Sequence, residues 1–110
     1  MARLTAGFWV AAYRARLEAE GIPAHILHRG DETAGAVAVK LATMDGRASL
    51  FTRHYDAAGE RVWNALVADG CESEVDAVVA RERRIDPDLW VVEIEDPRGR
   101  HLLDRPGLEG

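Results

Sequence analysis

Apolar positions recur at helical spacing near the start of the chain, through Leu4, Phe8, Ala11, Ala12, Ala15 and Ala19, with Trp9, Tyr13 and Leu17 widening the stripe. Arg14, Arg16, Glu18 and Glu20 fall mostly outside it. Gly21 supplies a C-terminal stop and Ile22-Pro23 forces extended backbone, so residues 5–20 are predicted as a helix. The period then changes. Residues 24–29 (AHILHR) and 36–43 (AVAVKLAT) read as strands around a turn-rich GDETAG, which predicts a hairpin. AVAVKL barely alternates, as expected of a strand buried on both faces.

Asp45-Gly46 is the strongest hairpin signal in the chain and joins 36–43 to a strand over 47–53. Residues 56–60 form another turn, and RVWNALV (61–67) follows as a strand, although a short helix fits its period nearly as well. Ser73 with Asp76 three residues on resembles a capping box, and Val75, Val78 and Val79 continue as a helical stripe. Arg81, Arg83 and Arg84 complement the dipole at its end, and Asp86-Pro87 stops the helix near residue 84. LWVVEIE (89–95) is a strand, 96–99 a turn and RHLL (100–103) a return strand.

The order α-β-β-β-β-α-β-β predicts an α+β fold: one largely antiparallel sheet of five to six strands with two helices on one face. Residues 1–104 form a single domain and 105–110 a flexible tail. A chain of 110 residues is the size of one domain. No repeat, linker or low-complexity block interrupts it.

Charge narrows the function classes. Fourteen basic and nineteen acidic residues leave a formal net charge of −5, which gives no global attraction to nucleic acid or anionic lipid. Thirteen of the basic residues are Arg, with Lys40 the exception, so the acids have bidentate local partners. Cys71 is the only cysteine, which excludes an intramolecular disulfide and suits a reducing compartment. It is expected in a turn, with a thiol whose pKa nearby acids do not lower. No apolar run is long enough to span a bilayer, and the amphipathic continuation of LTAGFWVAAY argues against a signal peptide. A cytoplasmic location is expected.

The densest candidate chemistry lies in IDPDLWVVEIED (85–96), where five of twelve residues are acidic around an apolar middle. Trp90, Val92 and Ile94 point one way on the strand, into the core; Leu89, Val91, Glu93 and Glu95 point the other way. Glu93 and Glu95 would sit about 7 Å apart, a separation open to a carboxylate pair. Pairing with arginines such as Arg47 and Arg53 on a neighbouring strand explains them better. Asp86 and Asp88 have a sufficient use in accepting backbone N–H bonds in the turn around Pro87. A hard-metal site there would need further converging oxygens. The four histidines show no metal-site spacing, and no phosphate loop or nucleophile elbow is present. No cofactor and no metal are expected.

Taken together, GFWV (7–10), GIPA (21–24), RGDETAGAVAVK (29–40), Trp63 and IDPDLWVVEIED (85–96) resemble the alphaproteobacterial family called domain of unknown function 1491. The resemblance spans nearly the whole chain, and Ile85 stands where the family pattern leads one to expect Phe. It implies a single small domain and no established activity. The matching positions Arg29, Gly30, Asp31, Gly35, Lys40, Trp90, Glu93 and Asp96 are the first places to look. The candidate functional surface is therefore Arg29, Asp31, Lys40, Asp86, Asp88, Glu93, Glu95 and Asp96, with no catalytic residue assigned. Two functions compete. One is a non-enzymatic binding or adaptor module with a protein partner, in which an edge strand such as RHLL or AHILHR adds a strand or forms a homodimer. The other is a small enzyme that uses the carboxylates of 86–96 with Arg29 or Lys40 on an anionic substrate.

Overall fold

The computed structural model describes residues 4–106. Seven elements follow in order: α1 (Ala6–Ala19), β1 (Ala24–His28), β2 (Val37–Ala42), β3 (Arg47–Tyr55), β4 (Arg61–Cys71), α2 (Glu72–Ile85) and β5 (Trp90–Glu95). They build an α+β fold around one five-stranded mixed sheet of order β1-β5-β2-β3-β4. Every neighbouring pair is antiparallel except β2 with β5.

The first helix spans what its pattern predicts, with Thr5 accepting the Phe8 N–H as N-cap at 3.3 Å. Its buried face differs from the expected stripe. Ala6, Trp9, Val10, Tyr13 and Leu17 are buried, whereas Phe8 is 61% exposed. Apolar residues run almost all the way round this alanine-rich helix, so spacing alone could not select the inner face. The β2–β3 hairpin forms around Asp45-Gly46, and the strand 61–67 is real and extends to Cys71.

Three architectural expectations are corrected. β1 and β2 are not hairpin partners, because β5 lies between them, antiparallel to β1 and parallel to β2. β2 and β5 are the two most buried strands, and placing them side by side at the sheet centre lets both faces of each be covered. The helices, expected on one face, divide between the two. Trp9, Val10, Tyr13 and Leu17 of α1 cluster with Val37, Val39, Leu41, Trp90, Val92 and Ile94. Val75 of α2 clusters with Ala38 and Val91, alternate positions of β2 and β5, and with Leu50 of β3 and Leu89. RHLL (100–103) is not a strand: Leu102 takes a positive φ of 61° and is buried in the α1 cluster. Tyr13 donates its hydroxyl hydrogen to the His101 carbonyl at 2.7 Å, which ties this segment to α1. Arg16 likewise donates to the Pro106 carbonyl at 2.6 Å, so 105–106 rest on α1, and the remainder of the expected tail lies outside the described residues.

The capping box also fails. α2 begins at Glu72 with Cys71 as N-cap, so Ser73 lies inside the first turn and cannot cap it, and the Asp76 carboxylate is drawn to Lys40. No helix among the described residues is long and apolar enough to cross a membrane.

Candidate functional site

Lys40, at the middle of β2, is the one fully buried basic residue among the described residues, 3% exposed. A buried ammonium survives only with close, hydrogen-bonded counter-charges. Lys40 has three: Asp76 at 2.7 Å, Glu72 at 2.8 Å and Glu93 at 2.8 Å. Two elements deliver them. Strand register places Glu93 of β5 directly beside Lys40, and Glu72 and Asp76 stand one turn apart on α2. Burial alone would lower the lysine pKa, but the hydrogen bonds that its ammonium donates to Asp76, Glu72 and Glu93 outweigh it and push the value up. This ammonium stays protonated, so it offers neither a general base nor an amine nucleophile. The ring of acids is a latch that joins α2 to the sheet.

The RGD-x-x-AG segment has a packing explanation. Asp31 N–H donates to the Asp88 carbonyl at 3.0 Å, and the Trp90 indole N–H donates to the Asp31 carbonyl at 2.7 Å. A Cβ on Gly30 would run into the Asp88 carbonyl and lie 2.7 Å from the Trp90 nitrogen; one on Gly35 would lie 2.6 Å from that same carbonyl. Only glycine lets the loop approach the start of β5 this closely. The Asp31 carboxylate accepts the Ala34 N–H at 2.8 Å, and the Arg29 guanidinium lies 5.2 Å from the Trp90 ring centroid.

The remaining candidates are spread out. Asp86 accepts the Asp88 N–H at 3.1 Å, and so shapes the turn into β5. Glu95 meets His25 of β1 at 2.9 Å. The pairing of Glu93 and Glu95 with Arg47 and Arg53 does not occur, because β5 sits beside β1 and β2, away from β3. Arg47 instead reaches Asp69 at 2.8 Å, while Arg53 lies between the Trp9 and Trp63 rings at 5.0 and 4.9 Å. Asp96 is buried, and the Arg100 guanidinium with the N–H groups of Arg98 and Arg100 holds its carboxyl down at about 2. The eight candidates thus fall into four places: the Lys40–Glu93 latch, the Arg29–Asp31 loop with Asp86 and Asp88, the β1 edge at Glu95, and the Asp96 turn. Among the described residues, no group of three or more His, Cys, Asp or Glu is arranged to hold a metal ion.

Other features escaped the sequence reading. Glu72 and Asp76, as latch partners, carry no local signal, since only the approach of α2 to β2 makes them so. Cys71 departs from expectation: the Ser73 hydroxyl and the Ser73 and Glu74 N–H groups at the start of α2 hold its thiol below the usual range, against burial and the Glu74 charge. The second sheet edge is β4. Between it and residues 101–104 runs a groove of about 350 Å³, lined by Phe51, Arg61, Trp63, Ala65, His101 and Leu103. Within it the His101 ring lies 4.7 Å from Phe51 and accepts the Leu103 N–H at Nδ1 over 3.0 Å. A wider hollow of about 600 Å³ along the outer side of α1 contains none of the candidate residues.

A family profile described as "Protein of unknown function (DUF1491)" matches residues 4–104. The fold is similar to a crystal structure of a DUF1491 family protein from Caulobacter crescentus CB15, with 45% identity, 94% of this chain and 97% of that chain covered, and a TM-score of 0.85. An NMR structure of a DUF1491 family protein from the same organism gives 44% identity, 96% and 97% coverage and a TM-score of 0.83. The solution structure of protein Atu0922 from A. tumefaciens gives 35% identity, 86% coverage of each chain and a TM-score of 0.74. No curated protein matches the sequence. The chain belongs to the DUF1491 family.

Proposed function

We propose that this DUF1491 protein is a non-enzymatic binding or adaptor module of the cytoplasm that takes up an extended segment of a protein partner at the β4 edge. The observation that carries the reading is the composition of that edge. From Val62 to Ala68 it has neither a charge nor a proline, the usual devices that blunt an edge. Its regular part is Arg61–Ala65, paired with Tyr55–Phe51; beyond Ala65 the register shifts. The Asp56 N–H to Glu60 carbonyl bond closes the hairpin. From there, ladder alternation turns the backbone groups of Val62 and Asn64 toward β3 and those of Arg61, Trp63 and Ala65 outward. A strand added there finds the Phe51–Trp63–His101 groove beside it for its side chains.

The rival reading is a small enzyme working on an anionic substrate with the carboxylates of 86–96 and Arg29 or Lys40. Against it stand the enclosure of Lys40 by its own acids and the separation of Arg29 from that latch. The test is capture of partners by the wild type and by Ala65→Lys, followed by NMR titration of the purified pair. A partner lost with Ala65→Lys, and amide shifts centred on Arg61, Trp63 and Ala65, support the reading. Undiminished capture by a folded Ala65→Lys overturns it.

A further inference from the structure

The outward side of α2 has a pattern of its own. Val75, Val78 and Val79 turn toward the sheet. Positions 77, 80, 81, 84 and 85, spaced i, i+3, i+4, i+7 and i+8, form a second stripe on the same helix, and all five residues are exposed. That stripe reads Ala77, Ala80, Arg81, Arg84, Ile85, and Glu74 extends it by one turn toward the N-terminus. Ile85 is the most exposed large hydrophobic residue described, at 71%. The helix dipole accounts for acids in the first turn and arginines in the last. It accounts neither for an isoleucine in water nor for two alanines at the middle of the stripe.

We infer that this stripe is the contact surface for a second copy of the chain, packed antiparallel across a two-fold axis that crosses the outward side of α2 at the level of residue 79. In that arrangement residue n of one helix faces residue 158 minus n of the other, so Glu74 faces Arg84 and Ala77 faces Arg81. Symmetry then generates two Glu74–Arg84 pairs from one complementarity. Ala77 and Ala80 let the helix backbones approach closely at the centre, and each Ile85 covers the first turn of the partner helix near Ser73. None of Glu74, Arg81 and Arg84 has an ion pair within its own chain among the described residues, so each is available to the partner. A foreign polyanion fits less well, because the net charge of −5 repels it and Glu74 lies on the same stripe.

One helix pair buries less than the roughly 1,200–2,000 Å² of stable interfaces, so the dimer is weak and concentration-dependent. It rests on a surface other than the β4 edge and would make the proposed binding module bivalent, presenting two such edges at once.

Sedimentation equilibrium of the purified chain, without any partner, tests the dimer independently of the β4 reading. The wild type is expected to dimerise reversibly, more weakly as salt is raised. Glu74→Arg alone and Arg84→Glu alone should each weaken association at least tenfold while the chain stays folded, since both side chains are exposed and each swap opposes only the helix dipole. The Glu74→Arg/Arg84→Glu double variant should dimerise again, and an equimolar mixture of the two single variants should form a heterodimer. A wild type that stays monomeric up to the highest soluble concentration overturns the inference. So does a dimer indifferent to the single swaps, or one abolished by Ala65→Lys in their place.

Discussion

The two faces of the sheet are held by different physics. Under α1 the contacts are apolar and aromatic: Trp9 stacks on Tyr13 at 4.9 Å and leans on Trp63 at 5.5 Å, and Leu17, Trp90, Val92 and Ile94 fill the rest. Under α2 only Val75 of the helix is fully buried, with Val78 and Val79 half-covered, and the Lys40 latch supplies what apolar contact does not. Apolar burial is non-directional, and under α1 the directional contacts come from its margins, where the Tyr13 hydroxyl bonds the His101 carbonyl. The latch is directional: three carboxylates must meet one ammonium, which fixes how far along and at what rotation α2 sits. Buried charge is a weak source of stability and a strong penalty when broken. One face therefore supplies most of the stability, and the other supplies register.

Mutations can break that contrast. Trp90→Ala should have the largest effect, about 3–5 kcal/mol, because it empties a fully buried site on the α1 face and removes the indole bond to Asp31. A domain this size should then be largely unfolded, which circular dichroism melts would show. An unchanged melting temperature would remove Trp90 from the core.

Lys40→Ala should cost about 3 kcal/mol, because it leaves Glu72, Asp76 and Glu93 crowded around a vacated cation site. Its signature should be local. Amide exchange in α2 should accelerate far more than in α1, and equal acceleration in both helices would contradict the division of labour. Gly30→Ala should cost about 1–3 kcal/mol, since the added methyl meets the Asp88 carbonyl and Trp90. A stability equal to wild type in urea titration would mean that the loop has room to retreat.

The smallest effect belongs to Asp96, in the turn after β5. Its folded pKa is depressed from 3.8 to about 2 by Arg100 and two backbone N–H groups. A depressed carboxyl contributes stability that is present above about pH 4 and is lost as pH falls through about 2. Melting temperatures between pH 5 and 2 should therefore fall more steeply for the wild type than for Asp96→Asn. Parallel curves would show that this carboxyl is not what titrates.

Much of this was legible in local pattern. α1, the buried character of β2, the Asp45-Gly46 hairpin and the division of β5 into Trp90–Val92–Ile94 against Val91–Glu93–Glu95 all depend on residues within one element or one turn. Even Lys40 and Glu93 could be singled out from their residue type, although their pairing could not. The family motif RGD-x-x-AG drew attention to the right loop, but its reason is the close approach of Gly30 and Gly35 to Asp88, more than fifty positions away.

Periodicity, turn chemistry and proline act between neighbours in sequence, so the amino-acid sequence by itself determined the two helices, the strands β2, β3 and β5, and which side chains of β5 shared a face. Tertiary structure decided what lies beside what. It inserted β5 between β1 and β2, sent the helices to opposite faces, turned 100–103 under α1 in place of a return strand, and gave Glu93 a lysine where an arginine was expected. The reason is that β2 and β5 are apolar on both sides. Two such strands are most fully removed from water when they pair at the centre of the sheet with one helix over each face, and that gain in burial depends on the whole molecule.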